Sequence, residues 1–405
     1  MPPITRTRHI AVYLLAALVL VLPLFEPLKN VLALCLVIVS LILARGDRRF
    51  DGVDKCFLIL LAAEFVSAIF SAYPGDALRQ IGDPLRYLLI AWAAYRLRPT
   101  SNEREQLIVF ATVRSLAAIA WGAYEFFVLH ARPFWELRSV GHVNHSAIYV
   151  ALTSMGGFFW LLFAEKHRSW SRHLVATGVV IQLGYLYFGE SRATLFTVLS
   201  LLFVTGILTV RFNRKIFALT MTTALVAVAA GFGLGIHAFE KHLANVSKNN
   251  TFSYRLSIWD HSMEIFRAHP LFGIGRNQYN RIGVDDIARM KAARNVPFER
   301  SAYIHFPHAH SFYFTLLAEK GLFGVIVAAG WLAFWLFKLV RSYFSIHRVQ
   351  DSLAWVFVSF SAFWILLVNG LGNTTLHHEH GMMSMLFFSL FLARTEASAG
   401  GEEAA

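Results

Sequence analysis

The stretch VNHSAIYVALTSMGGFFWLLFA, residues 143–164, decides the fold class. It contains no Asp, Glu, Lys or Arg, and as an α-helix it is long enough to cross a hydrocarbon core, which takes about twenty residues. Lipid offers the backbone no hydrogen-bond partner, so such a segment must satisfy its N–H and C=O groups internally as a helix. Working outward in both directions, comparable apolar runs recur near 10–25, 29–44, 56–71, 85–97, 107–129, 174–188, 193–210, 216–238, 311–337, 352–371 and 381–393. With the first they make twelve. Composition agrees: 56% of the 405 residues are hydrophobic and 15% charged, with mean hydropathy +0.52, whereas a soluble chain carries roughly 25% charged residues. The expected fold is all-α, a polytopic integral membrane protein of about 12 transmembrane helices with one long periplasmic loop containing amphipathic helices.

Charge sets the expected topology. Twelve spans place both termini on one side. The connections then fall into two sets, and one of them holds Arg6/Arg8, Arg45–Lys55, Arg96–Arg104, Lys166–Arg172, Arg211–Lys215, Lys338–Arg348 and Arg394. That set carries nineteen Lys and Arg against six in the short connections of the other, so it is expected to be cytoplasmic. The net charge of +12 follows from these orientation signals and does not indicate nucleic acid. Arg6, Arg8 and the run after them read as a retained first span rather than a cleaved signal. Cys35 and Cys56 have neither metal-type spacing nor a disulfide framework. The chain divides into nine spans (1–238), a large outer loop (239–311), three spans (312–394) and a short tail (395–405).

The outer loop carries ten basic residues: Lys241, Lys248, Arg255, Arg267, Arg276, Arg281, Arg289, Lys291, Arg294 and Arg300. An outward basic surface suits an anionic substrate or a lipid head group; a solvated face touching phospholipid is the plainer reading. Within the loop, Trp259, Met263 and Phe266, with Leu256 and Ile265 nearby, have helical spacing from Ser253, a candidate N-cap, to a stop at Pro270. Such a helix suits the membrane surface, with Arg255 either snorkelling or meeting a lipid-linked phosphate. Gly273 and Gly275 suit a tight turn, a structural role. Arg192, in Gly189-Glu190-Ser191-Arg192, lies so near hydrocarbon that it needs either a partner, such as Glu190, or a function. Two guanidiniums can grip a pyrophosphate through bidentate hydrogen bonds at any working pH. His308 and His310 precede the tenth span, where a helix dipole disfavours imidazolium and leaves a neutral imidazole suited to general-base work. His377, His378 and His380 form a separate outward cluster, readable as a metal site or as an interfacial helix start. Glu64 and Glu125 are the clearest acidic residues within spans and no internal repeat is apparent, which disfavours an ion-coupled carrier.

These elements together resemble the O-antigen ligase family (WaaL type), within the group that also holds O-antigen polymerases. His310-Ser311, nine residues, then Gly321-Leu322-Phe323-Gly324 is similar to the ligase pattern; many relatives have Asn where this chain has Ser311. Gly189–Arg192, Arg255–Trp259 and Pro270–Gly275 resemble the group's other motifs, with Asn144 a counterpart in the first half. The resemblance implies a glycosyltransferase of lipopolysaccharide assembly in the bacterial inner membrane, with its site facing the periplasm and both termini cytoplasmic. The implied partners are O-antigen on undecaprenyl diphosphate as donor, lipid A-core as acceptor, and membrane lipids. His310 would take the acceptor proton while Arg192 and Arg255 hold the leaving diphosphate. Arg276, Arg86, His308 and Asn144 are further substrate-binding candidates. A single displacement would invert the anomeric centre, with no metal, ATP or other cofactor. A polymerase, a protein O-oligosaccharyltransferase and a lipid flippase are the competing readings.

Overall fold

The computed structural model describes residues 3–46, 50–138, 140, 142–163, 169–189, 191–233, 250–303, 306–345 and 350–402. Glu190, Lys241, Lys248 and the expected loop start at 239 therefore lie outside the described residues. Among these residues the chain is all-helical, with no strand. The helices are α1 (Pro3–Val21), α2 (Glu26–Gly46), α3 (Gly52–Phe70), α4 (Pro74–Arg79), α5 (Gly82–Leu97), α6 (Ser101–Ala123), α7 (Val143–Phe163), α8 (Ser169–Phe188), α9 (Arg192–Thr209) and α10 (Arg214–Gly233). After them come α11 (Asn250–Ala268), α12 (Val284–Ala292), α13 (Phe312–Ser345), α14 (Gln350–Trp364) and α15 (His378–Glu402). The greater part of each of the twelve apolar runs, as far as it lies within the described residues, falls on one of these helices. Among the described residues, five segments are long and apolar enough to cross a membrane: Glu26–Arg45, Ser101–Val128, Val143–Phe163, Arg192–Thr209 and Phe312–Ser345. The protein is a multi-pass membrane protein.

The centre of the bundle is α7, the stretch that opened the sequence reading, with 89% of its apolar window buried inside the protein. It packs against α6, α8, α9, α14 and α15. Capping fixes several helix starts. Asp51 accepts from the N–H groups of Val53 (2.8 Å) and Asp54 (3.0 Å) at the head of α3, and Thr100 caps α6 reciprocally with Glu103.

The connections expected on one side of a membrane do gather at one end of the bundle. Arg8 bonds Glu103 at 2.7 Å, and Arg96 bonds Asp54 at 3.2 Å. Ser171 donates to Glu105 at 2.6 Å. Arg104 lies over the Trp355 ring at 5.6 Å, and Tyr343 donates to the Leu208 carbonyl at 2.9 Å. These contacts link the N-terminus with the connections α2–α3, α5–α6, α7–α8, α9–α10 and α13–α14.

Two expectations need correction. The tenth run is not one continuous helix, because α13 breaks at Gly321, where φ is 61° and ψ −161°. The break leaves backbone groups of α13 without helical partners, and residues 270–275 supply them. Leu322 N donates to Pro270 O (2.8 Å) and Phe323 N to Leu271 O (3.0 Å), while Ile274 N donates to Ala318 O (3.0 Å) and Gly275 N to Glu319 O (2.8 Å). A Cβ on Gly321 would stand 2.6 Å from Leu271 backbone atoms, so the left-handed turn and the close approach both require glycine. Gly273 and Gly275 share the same interlock, which confirms their structural role.

The second correction concerns α11. It begins at Asn250, so Ser253 lies inside the helix instead of capping it; Asn250 and Thr251 are themselves cap-type residues and the helical pattern extends through them. Its buried residues are Ile258, His261, Ser262, Glu264 and Ile265, whereas Trp259, Met263 and Phe266 are only half-buried. The partner of this face is a second small core in the 250–311 segment, built from Ile258, Ile265, Ile274, Tyr279, Ile282, Ile287, Ala309 and Ala318. That segment is a folded unit docked on α13, where Trp259 stacks on Phe314 at 5.0 Å.

Candidate active site

The organising element is the turn Asn369-Gly370-Leu371-Gly372-Asn373, which follows a π-helical turn over Ile365–Asn369. Unpaired backbone groups and side chains here reach three other parts of the chain. Asn369 donates to Thr194 in the first turn of α9 at 2.8 Å, and Asn373 donates to Asn369 at 2.7 Å. The Gly370 carbonyl accepts from Phe312 N at 2.9 Å and from Ser311 Oγ at 3.1 Å. Gly372 lies against Arg255, and a Cβ there would stand 2.4 Å from its Nη1. One turn of five residues therefore holds together the start of α9, with Arg192 as its first residue, the α11 residue Arg255, and the His310–Ser311 pair.

The side chains gathered here have distinct environments. His310 adopts φ 47°, a conformation that costs a non-glycine residue of order 1 kcal/mol and persists only where its surroundings hold it. The two bonds to Gly370 on one side and Ala309, fully buried in the segment's core, on the other provide that restraint. Burial holds the His310 imidazole down to about 4, with His308, His142 and Arg255 adding to the effect. The ring is therefore neutral at neutral pH and has a lone pair to offer. The helix-dipole argument anticipated the direction, and desolvation is the larger cause. The His308 ring lies 4.1 Å from that of His310 and is also pushed down, mainly by burial. Burial lowers Arg255 as well.

Charge in the 250–311 segment is arranged differently from the basic surface that composition suggested. Arg267 and Arg294 pair with Glu264, Arg281 with Asp76, Arg289 with Asp286, Lys291 with Asp260 and Arg300 with Asp285. Six of the eight described basic residues are thus neutralised by carboxylates. Arg255 and Arg276 make no such ion pair among the described residues, and both are turned inward. Arg276 donates to Tyr87 OH at 3.5 Å and keeps a buried Nη2 with no partner. Burial alone would lower its pKa, but Tyr87, Glu64, Glu319 and Asp83 outweigh that and raise it, so the charge is firmly held.

A cavity of ≈ 280 Å³ opens beside this site between α3, α5, α13 and the start of α15. Arg276, His308, His145, His377 and His378 line its polar end, and Leu60, Phe323, Val327 and Trp331 its apolar end. A pocket polar at one end and apolar at the other fits an amphiphile. Of the remaining sequence candidates, Arg86 bonds Asn30 at 2.5 Å and pairs with Asp83, lining a second pocket that shares Asp83 with the first. Asn144 sits in the first turn of α7, its N–H bonded to His142 Nδ1 at 3.1 Å. Glu64 pairs with Lys320, and Glu125 with Arg132 at 3.0 Å, so these two acids have partners.

A model of the O-antigen ligase family matches residues 177–329. Over those residues the chain is similar to the O-antigen ligase family. No curated protein matches it. The family match takes in Gly189–Arg192, Arg255–Trp259, Pro270–Gly275, His310–Ser311 and Gly321–Gly324, and the Gly-x-x-Gly of this chain has a physical role, the interlock at Gly321. The turn at 369–373 and the histidines at 142–145 and 377–380 lie beyond the match. Sequence reading passed over the 369–373 turn because it lies at the end of an apolar run; two glycines between two asparagines were the available signal.

Proposed function

We propose that this chain is an O-antigen ligase family member that transfers a glycan from a polyprenyl diphosphate to a saccharide hydroxyl of lipid A-core, at the periplasmic face of the inner membrane. The observation that carries the reading is the convergence of His310, Arg255 and the Arg192 end of α9 on the turn 369–373. His310, neutral and anchored, accepts the proton of the attacking hydroxyl. Arg255, without a carboxylate partner, and Arg192 stabilise the negative charge that develops on the departing diphosphate. A lipid diphosphate is already a good leaving group, so fixed cations suffice, and one displacement inverts the anomeric carbon. The hydroxyl oxygen forms the new glycosidic bond as the bond to the phosphate oxygen breaks. The adjacent cavity, with Arg276 and His308 at its polar end, suits the head group of one of the two amphiphilic substrates. The pairing of Glu64 and Glu125 gives a coupled carrier no free carboxylate in these positions.

The test is transfer in vitro. Purified protein given lipid-linked polysaccharide and core lipid is expected to form the conjugate, and cells lacking the gene should accumulate unsubstituted lipid A-core. No conjugate under any condition would remove the enzyme reading. Single repeats on core in the deletion strain would instead mark a polymerase.

A further inference from the structure

Five histidines gather where α7 and α15 begin, outside the groups assigned to transfer. The His145 ring lies 5.4 Å from His142, 6.0 Å from His377, 5.7 Å from His378 and 5.0 Å from His380. One ring nitrogen from each of His145, His377 and His378 lies within 4.8 Å of the others. These residues come from separate parts of the chain, 232 positions apart for His145 and His377, so only the packed bundle assembles them. His378 adopts φ 43° at the head of α15, and its ring lies 3.9 Å from that of His377.

Packing alone does not account for this cluster. The buried Nδ1 atoms of His377 and of His380 have no hydrogen-bond partner, while His380 Nε2 reaches Thr374 O at 3.1 Å. A buried imidazole nitrogen left without a partner is costly, and a cation satisfies a lone pair. The neighbouring Glu379 carboxylate is taken by Lys29. All three histidines line the cavity, which Glu64, Asp83 and Glu319 also line.

We propose that His145, His377 and His378 bind one divalent transition-metal ion of the zinc class, leaving a fourth position open to the cavity. Three neutral nitrogen donors suit Zn²⁺, Co²⁺ or Ni²⁺ and not the oxygen-seeking Mg²⁺ or Ca²⁺. A tetrahedral ion with Zn–N of about 2.0–2.1 Å needs its nitrogens roughly 3.3 Å apart. The open position, in the same wall as Arg276, would take an oxygen of water or of an anionic head group. This ion is distinct from the His310–Arg255 chemistry, so its presence is read by metal binding and not by transfer.

The experiment uses full-length protein in detergent or nanodiscs, purified without a polyhistidine tag, stripped by chelator and dialysed against Zn²⁺. Elemental analysis is expected to find about one ion per chain, falling to background in His145→Gln and in His378→Ala. His378 is exposed, so its replacement leaves the packing intact. Co²⁺ in place of Zn²⁺ should give the visible absorption of a four-coordinate site, lost in the same variants and kept in His173→Ala. Wild-type protein that retains no Zn²⁺ after dialysis would overturn the proposal, as would variants that retain as much as wild type.

Discussion

The two faces of the 250–311 segment carry the same residue type and put it to opposite use. On the outer face, Arg289 and Arg300 are tied to carboxylates, with Arg300 and Asp285 70% and 73% exposed, while Arg267 and Arg294 pair with the buried Glu264 and Arg281 with Asp76 of α4. On the inner face, Arg255 presses on Gly372 and Arg276 bonds only a tyrosine hydroxyl, each without a carboxylate partner among the described residues. An exposed ion pair is worth little in water, typically under about 1 kcal/mol. Arg255, half-buried and without a carboxylate partner among the described residues, keeps its attraction for an incoming anion, whereas Arg276 has the nearby carboxylates of Glu64, Glu319 and Asp83 to hold its charge. The difference teaches that the number of arginines says less than which of them the fold leaves unneutralised.

Four sets of variants and one titration test that contrast. The largest effect is expected from His310→Ala, which should reduce transfer by about 10³-fold while donor binding measured separately survives. Arg255→Lys and Arg192→Lys come next, each losing on the order of 10²-fold in kcat/KM, because a point charge does not replace a bidentate fork. Full activity in Arg255→Lys would erase the distinction between the two faces. Gly372→Ala should cost about tenfold, a misplacement effect. Its methyl pushes the Arg255 guanidinium aside while the flexible side chain spares the fold, so unchanged melting with reduced kcat/KM is the expected pair of readings.

The pH profile should show a smaller effect. A base must be deprotonated to act, and His310 sits near about 4, so activity holds above that value and is lost as pH falls through it. At pH 5 only about a tenth should be missing, and an acid limb centred between pH 6 and 7 would remove His310 from the role of base. The smallest effect belongs to the outer face. Arg300→Gln should change activity by less than about twofold and stability by under about 1 kcal/mol; a larger loss of transfer would show that the paired arginines also meet substrate.

Much of this was legible in the chain as written. The apolar runs foretold the helices because lipid-spanning backbone has few options, and even the short runs at 85–97 and 174–188 lie on helices. His310, Arg192 and Arg255 were legible through motif order. The pairing of six basic residues was not, since Arg294 meets Glu264 and Arg281 meets Asp76 only after the segment folds. The buried face of α11 was misread because its partner is a core made of residues up to 60 positions away, including Ala309 and Ala318.

The sequence by itself determined an all-helical membrane protein and supplied the candidate site residues, because hydrophobic length and residue identity are local properties. Tertiary structure alone decided which arginines stay unneutralised, that the turn at 369–373 joins three distant segments, and that His145 meets His377 and His378. Those are facts of distance between remote parts of the chain, and distance is settled only when the helices pack.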